Sequence, residues 1–259
     1  PSAARAASVG RRQQLWRSGL DREHTLDKVP RVVGGINPEW AETTRRLYST
    51  IIKEKVTVLR DIKTAEAAKI VENIQRDLNI ALVNEFALIF DRMGIDVMEV
   101  LDAASTKWNF VKFKPGPGVG GHCLPVDPYY LTHKARELGY YPRLILAGRA
   151  INDQMADHVV KLAVDGLNEA RKSVSGSRIA VLGLAYKANT GDIRESPSER
   201  VVEHLARMKA DLALHDPLVS GEECVRHFSL PNQAVEEALD GADCVIHMVN
   251  HDATKPHLE

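Results

Sequence analysis

Between Thr64 and Met93 no proline interrupts a run in which Ala67, Ile70, Val71, Ile74, Leu78, Ala81, Leu82 and Phe86 recur three and four residues apart. That period is the signature of an α-helix with one apolar stripe. At about 1.5 Å per residue the helix reaches roughly 45 Å. A rod of that length usually crosses a whole domain or packs against a partner subunit. Met93-Gly94 ends the run, and Asp96 is placed to cap a second helix from Val97 to about Ser105.

Upstream, Pro1 to about Pro30 has weak apolar periodicity and reads as a poorly ordered or atypical lead-in. Arg31–Ile36 is a short strand. Asn37-Pro38 opens a helix to about Thr50, and Lys55–Leu59 is a further strand. Downstream, Asp127-Pro128 reads as a cap followed by a first-turn proline, starting a helix to about Leu138 that Gly139 closes. Another helix runs from about Arg143 to Arg171. Beyond the polar boundary Ser173–Ser177, strands at 178–184, 212–215 and 243–249 alternate with helices at 198–208 and 234–239. Such alternation argues a parallel sheet with crossover helices. The fold class expected is α/β: an all-helical central domain containing the long helix, followed by a Rossmann-like parallel α/β domain. The boundaries expected are 1–60 for the lead-in, 61–172 for the helical domain and 173–259 for the Rossmann-like domain.

Composition narrows the function. With 259 residues and a net charge of -1, the chain offers no general field for nucleic acid or an anionic membrane. No apolar run is long enough to span a bilayer and no signal peptide opens the sequence, so the cytoplasm is the expected location. Cys123, Cys224 and Cys244 are widely separated and form no C-x-x-C, and the histidines show no ligand spacing. Neither a disulfide framework nor a metal site is expected.

The chemistry concentrates at Cys123. It stands in Lys114-Pro115-Gly116-Pro117-Gly118-Val119-Gly120-Gly121-His122-Cys123-Leu124-Pro125-Val126-Asp127, where glycines let the backbone approach a ligand closely. A thiolate there could attack a carbonyl carbon, given a depressed pKa or a base and donors for the oxyanion. The plain alternative is a core cysteine beside a structural glycine turn. Asp127 could move a proton near the thiol, or simply cap the helix. Lys69 and Asn73, one turn apart on the long helix, could clamp an oxyanion, or belong to a solvated face. The segment from Gly183 to Ser198 occupies the strand-to-helix position where α/β proteins bind ligands. There Lys187, Arg194 and Ser196 or Ser198 could hold phosphate. Asp216, at the end of the next strand, could meet a ribose hydroxyl or make a turn.

At these residues the chain resembles the UDP-glucose/GDP-mannose dehydrogenase family. The resemblance covers about Val32 to Met248. It includes V-V-G-G-I, the lysine-asparagine helix, G-P-G-V-G-G-H-C-L-P-V-D-P-Y-Y and G-L-A-Y-K-A-N-T-G-D-I-R-E-S-P-S. Ser105–Phe110 and Leu131–Ala135 look most like the branch acting on UDP-N-acetylhexosamines. The resemblance implies oxidation of a sugar 6-hydroxymethyl group to a carboxylate in two steps, with NAD as the cofactor. Cys123 would form the thiohemiacetal and thioester, Lys69 and Asn73 would stabilise oxyanions, and Asp127 would assist proton transfer. Lys114, Gly116, Gly118, Gly120, Gly121 and Lys187 would contact the UDP-sugar, and Arg194 the cofactor. A homodimer through the helical domain is implied, with Lys107 reaching the neighbouring site.

Three departures stand out. The family's opening NAD-binding domain with G-x-G-x-x-G and its S-P-E-R-like segment have no counterpart here, and Glu259 precedes the family's last strands. The chain by itself is therefore expected to show little NAD-dependent turnover. A non-catalytic, dimerising UDP-binding fragment is the alternative. Thiol acyl transfer at Cys123 with His133 or His158 as base is a third reading, without a recognisable signature.

Overall fold

Asn37 starts the first helix in the expected way: its Oδ1 accepts the Trp40 backbone N–H at 2.9 Å, and Pro38 occupies the first turn of α1 (Pro38–Ser49). The computed structural model describes residues 7–10 and 25–257, and its contacts divide the chain into two compact units, residues 1–75 and 76–259. In the first unit β1 (Ala7–Gly10) pairs antiparallel with β2 (Arg31–Gly35), and β2 pairs parallel with β3 (Val56–Val58). Val33, Ile52 and Val56 form its small buried core, with Tyr48 of α1 packed on them. The strand β1 lies within the stretch read as a poorly ordered or atypical lead-in, most of the rest of which lies outside the described residues.

The long helix α2 spans Ile62–Met93 without a break. Its neighbour α3 (Val97–Ala104) is capped by Asp96, whose Oδ1 accepts the Met98 N–H at 2.8 Å. In the second unit α4 (Asp127–Glu137) and α5 (Arg143–Glu169) lead into a parallel sheet of β4 (Arg178–Leu182), β5 (Asp211–His215) and β6 (Cys244–His247), in the order β5-β4-β6. Ile179 faces Leu212 on one side and Cys244 on the other.

The pleat sends alternate β4 side chains to opposite faces. Ile179 and Val181 join Ala156, Val160 and Leu167 of α5 and Val201 and Leu205 of α6 (Pro197–Arg207). Ala180 and Leu182 join Ala213 and Ala238 on the other face. Covering both faces is what a run as apolar as Ile179–Leu182 requires. Two further helices, α7 (Gly221–Phe228) and α8 (Val235–Leu239), complete the unit. The first of these is absent from the sequence reading. Among the described residues no helix is long and apolar enough to cross a membrane.

Candidate active site

The segment before Cys123 is shaped by its packing. Gly118 and Gly121 take φ values of +134° and +90°, conformations that L side chains rarely adopt. A Cβ on Gly120 would stand 2.5 Å from the Tyr186 Cβ and 2.7 Å from the Glu195 carbonyl oxygen. The Gly121 N–H donates to the Arg194 carbonyl at 3.0 Å. The close approach that Gly120 and Gly121 permit is thus made to the loop following β4. Gly116 differs, because a Cβ there would meet nothing within 4 Å.

Cys123 is half-buried, whereas Cys224 is fully buried. Burial pushes the Cys224 thiol up to about 11 and raises that of Cys244, so both are poor nucleophiles at neutral pH. The Cys123 carbonyl accepts N–H groups from Val126 at 3.1 Å and Asp127 at 2.8 Å. The backbone therefore already turns helically at Cys123, and this places the Asp127 backbone one turn from the nucleophile candidate. Asp127 is the first residue of α4, while Val126 occupies the cap position with no side-chain hydrogen bond. The reading of Asp127 as the helix cap is corrected accordingly.

Within the first unit, Lys69 and Asn73 meet as their spacing predicts. Lys69 Nζ donates to Asn73 Oδ1 at 3.1 Å, with Glu72 at 3.6 Å. The Lys69 side chain keeps 19% of its exposure and Asn73 is 1% exposed, so neither belongs to an ordinary solvated helix face.

The loop after β4 carries Lys187 and Arg194, both exposed. Arg194 Nε donates to Asp192 Oδ1 at 2.7 Å, and this bond raises the guanidinium pKa and lowers that of the carboxyl. Ser196 and Ser198 are not available to a phosphate. Ser196 caps α6, Ser198 Oγ donates to the Gly183 carbonyl at 3.1 Å, and both are buried.

Asp216 is likewise spent on structure rather than on a ribose. Its Oδ2 accepts the N–H groups of Leu184 and Ala185 at 2.7 and 3.0 Å, and its Oδ1 those of Leu218 and Val219 at 2.9 and 3.2 Å. Burial would raise its pKa, but His251 and these N–H groups outweigh that and hold it below the usual carboxylate range. His251 Nδ1 accepts the Asn189 N–H at 3.0 Å, which puts the imidazole proton on Nε2. Nε2 lies 3.2 Å from Asp216 Oδ2 but off the hydrogen-bond direction, making an electrostatic contact. Asp216 and His251 together clamp the base of the Lys187 loop, a role the sequence reading missed.

The remaining candidates stand at the surface. Lys107 is exposed in the turn after α3, and Lys114 is exposed at the start of the glycine segment. His133, a candidate base in the acyl-transfer reading, lies on the solvent side of α4, where its Nε2 is 3.3 Å from Glu137 Oε1.

Comparison with known proteins finds two family models along the chain. Residues 63–154 match the central domain of the UDP-glucose/GDP-mannose dehydrogenase family, and residues 180–257 match its UDP binding domain. The chain is 47% identical over 210 residues to the UDP-N-acetyl-D-glucosamine 6-dehydrogenase of Pseudomonas aeruginosa, covering 81% of this chain and 50% of that protein. It is 42% identical over 236 residues to the enzyme of the same name from Salmonella typhi, covering 91% and 55%. The solved UDP-D-ManNAc dehydrogenase of Pyrococcus horikoshii superposes with a TM-score of 0.80 at 35% identity, over 89% of this chain and 52% of that one. The chain spans about half the length of the curated relatives it matches.

Proposed function

The chain belongs to the UDP-glucose/GDP-mannose dehydrogenase family, and from that premise we propose that it carries the thiol and substrate side of an NAD-dependent UDP-N-acetylhexosamine 6-dehydrogenase. The observation that carries the reading is the setting of Cys123. It is the half-buried thiol of the chain that follows a tightly packed glycine segment and begins the turn into Asp127. Two NAD molecules, bound in turn, would each take up one hydride. Arg194 is an exposed cation of the kind that suits a dinucleotide's diphosphate, and it is the residue here proposed to touch the cofactor.

The reaction runs through Cys123. After the first oxidation its sulfur bonds to the aldehyde carbon and the carbonyl oxygen becomes an alkoxide or hydroxyl, giving a thiohemiacetal. Loss of the second hydride leaves a thioester. Water then attacks that carbon, the C–S bond breaks, and the thiol and a carboxylate are released. The negative oxygen of each tetrahedral stage is the species that an ammonium and an amide N–H stabilise, the roles proposed for Lys69 and Asn73. Asp127 would accept or deliver the proton of the attacking water. Lys114, Lys187 and the segment 116–121 would hold the UDP-sugar. Two copies would pair through the helical domain, with Lys107 at the neighbouring site.

Calorimetry with UDP tests the reading, with saturable heat expected and its absence contradicting it. NADH absorbance with UDP-N-acetylglucosamine separates a self-sufficient enzyme from a non-catalytic, dimerising UDP-binding fragment, which would bind UDP without turnover.

A further inference from the structure

Asp77, Asn84, Arg149 and Asn152 form a polar cluster that the chemistry proposed for Cys123 does not use. None of the four is more than 3% exposed. Their bonds run in one order. Asp77 Oδ1 accepts from Arg149 Nη1 at 2.6 Å and from Asn152 Nδ2 at 2.9 Å. Asn152 Oδ1 accepts from Asn84 Nδ2 at 2.9 Å. Asn84 Oδ1 accepts the backbone N–H of Gly116 at 2.9 Å.

The order has a physical cause. A carboxylate beside a guanidinium can only accept, so it fixes which end of the Asn152 amide faces it. The Asn152 oxygen is then turned to Asn84, and the Asn84 oxygen is left for Gly116. Reversing any one amide would set donor against donor or acceptor against acceptor inside a dry cluster, at the full cost of unmade buried bonds.

The cluster also reaches the far side of Cys123. Arg149 Nη2 donates to Asp153 Oδ1 at 2.5 Å, and its guanidinium lies 5.9 Å from the centroid of the Tyr129 ring in the first turn of α4. Asn152 adds a steric limit on the segment itself, because its carbonyl oxygen would stand 3.1 Å from a Cβ on Gly118.

We infer that this cluster is a positioning relay for the Cys123 segment: Asp77 sets the polarity that Asn152 and Asn84 transmit to Gly116, while Arg149 steadies the segment beyond the thiol at Tyr129. The relay touches no substrate and acts through the segment it holds. The inference rests on the reading of Cys123 as the nucleophile.

The test is the rate at which Cys123 reacts with 4,4′-dithiodipyridine in the full chain. Thiols are resolved by peptide mass, and Cys244 serves as the internal reference. Asn84→Ala frees the Gly116 N–H, and Cys123 is expected to react at least about threefold faster than in the unaltered chain, with Cys244 unchanged. Asn84→Asp separates polarity from packing. Near pH 5, about where a buried aspartic acid stays protonated, its O–H replaces the amide donor to Asn152 and its carbonyl still accepts Gly116. The Cys123 rate should then match the unaltered chain measured at the same pH. Ionisation toward about pH 9 turns a carboxylate on the Asn152 oxygen while its other oxygen still accepts Gly116, so the rate relative to the unaltered chain at the same pH should rise above its value near pH 5 but stay below that of Asn84→Ala. Equal rates in Asn84→Ala and the unaltered chain, equal acceleration of Cys244, or failure of Asn84→Asp to restore the rate near pH 5 overturns the relay. Failure of UDP-N-acetylglucosamine, shown by calorimetry to be bound, to shield Cys123 in the unaltered chain would overturn the nucleotide-sugar reading instead, and these rate ratios would be unaffected by it.

Discussion

Replacing Asp216 with asparagine changes one oxygen to an NH2 group and almost nothing in shape. Four backbone N–H groups, those of Leu184, Ala185, Leu218 and Val219, converge on the carboxylate at 2.7 to 3.2 Å. The new amide leaves two of them facing a donor. Each stranded buried N–H costs about 1–3 kcal/mol, so Asp216→Asn should lose roughly 2–6 kcal/mol. Urea unfolding near neutral pH, followed by circular dichroism, reads this as a fall in midpoint at constant slope. The pH dependence gives a second reading of the same carboxylate. Its folded pKa lies below the unfolded value, so its stabilisation is complete above about pH 4 and is lost as pH falls through the folded pKa. Asp216→Asn has nothing to titrate there, and its deficit against the unaltered chain should shrink through that window. A loss under about 1 kcal/mol near neutral pH, or a deficit that does not change on acidification, would refute the reasoning.

Two glycines of the Cys123 segment should respond oppositely to one methyl group. Gly120→Ala drives a Cβ to 2.5 Å from the Tyr186 Cβ and should destabilise by about 1–3 kcal/mol or more, whereas Gly116→Ala enters open space and should stay within about 0.5 kcal/mol. Thermal melting of the pair checks this, and equal shifts would contradict the packing described. Cys224, its thiol raised by burial to about 11, should remain unmodified by iodoacetamide at about pH 8 while the chain is folded. Labelling of Cys224 as fast as that of Cys123 in peptide mass spectra would contradict it.

What the sequence revealed was what local chemistry decides. The period of α2, the Asn37-Pro38 start and the Asp96 cap are set by residues within a turn of one another, and the structure has all three. Lys69 and Asn73 meet for the same reason. Asp127 was misjudged because the chain turns earlier than Asp-Pro suggests: the Cys123 carbonyl already takes the Val126 N–H, and Val126 sits in the right-handed helical region. The helix α7 carried a readable signal, Ser220-x-x-Glu223, and those two residues do form a reciprocal cap. Asp77 and Arg149 could not be read together, since they stand 72 positions apart and each alone looks like a solvated helix charge. Asp216 is 32 positions from the Leu184 N–H it binds. Only the parallel pairing of β4 with β5 brings those two ends together.

Whether Cys123 works on a nucleotide sugar is decided most directly by its alkylation rate, measured peptide by peptide with and without saturating UDP-N-acetylglucosamine. Cys123 should be shielded by at least about tenfold while Cys244 is labelled at an unchanged rate. Identical labelling of Cys123 in the two conditions, with the sugar nucleotide shown by calorimetry to be bound, would contradict its place at the reacting carbon.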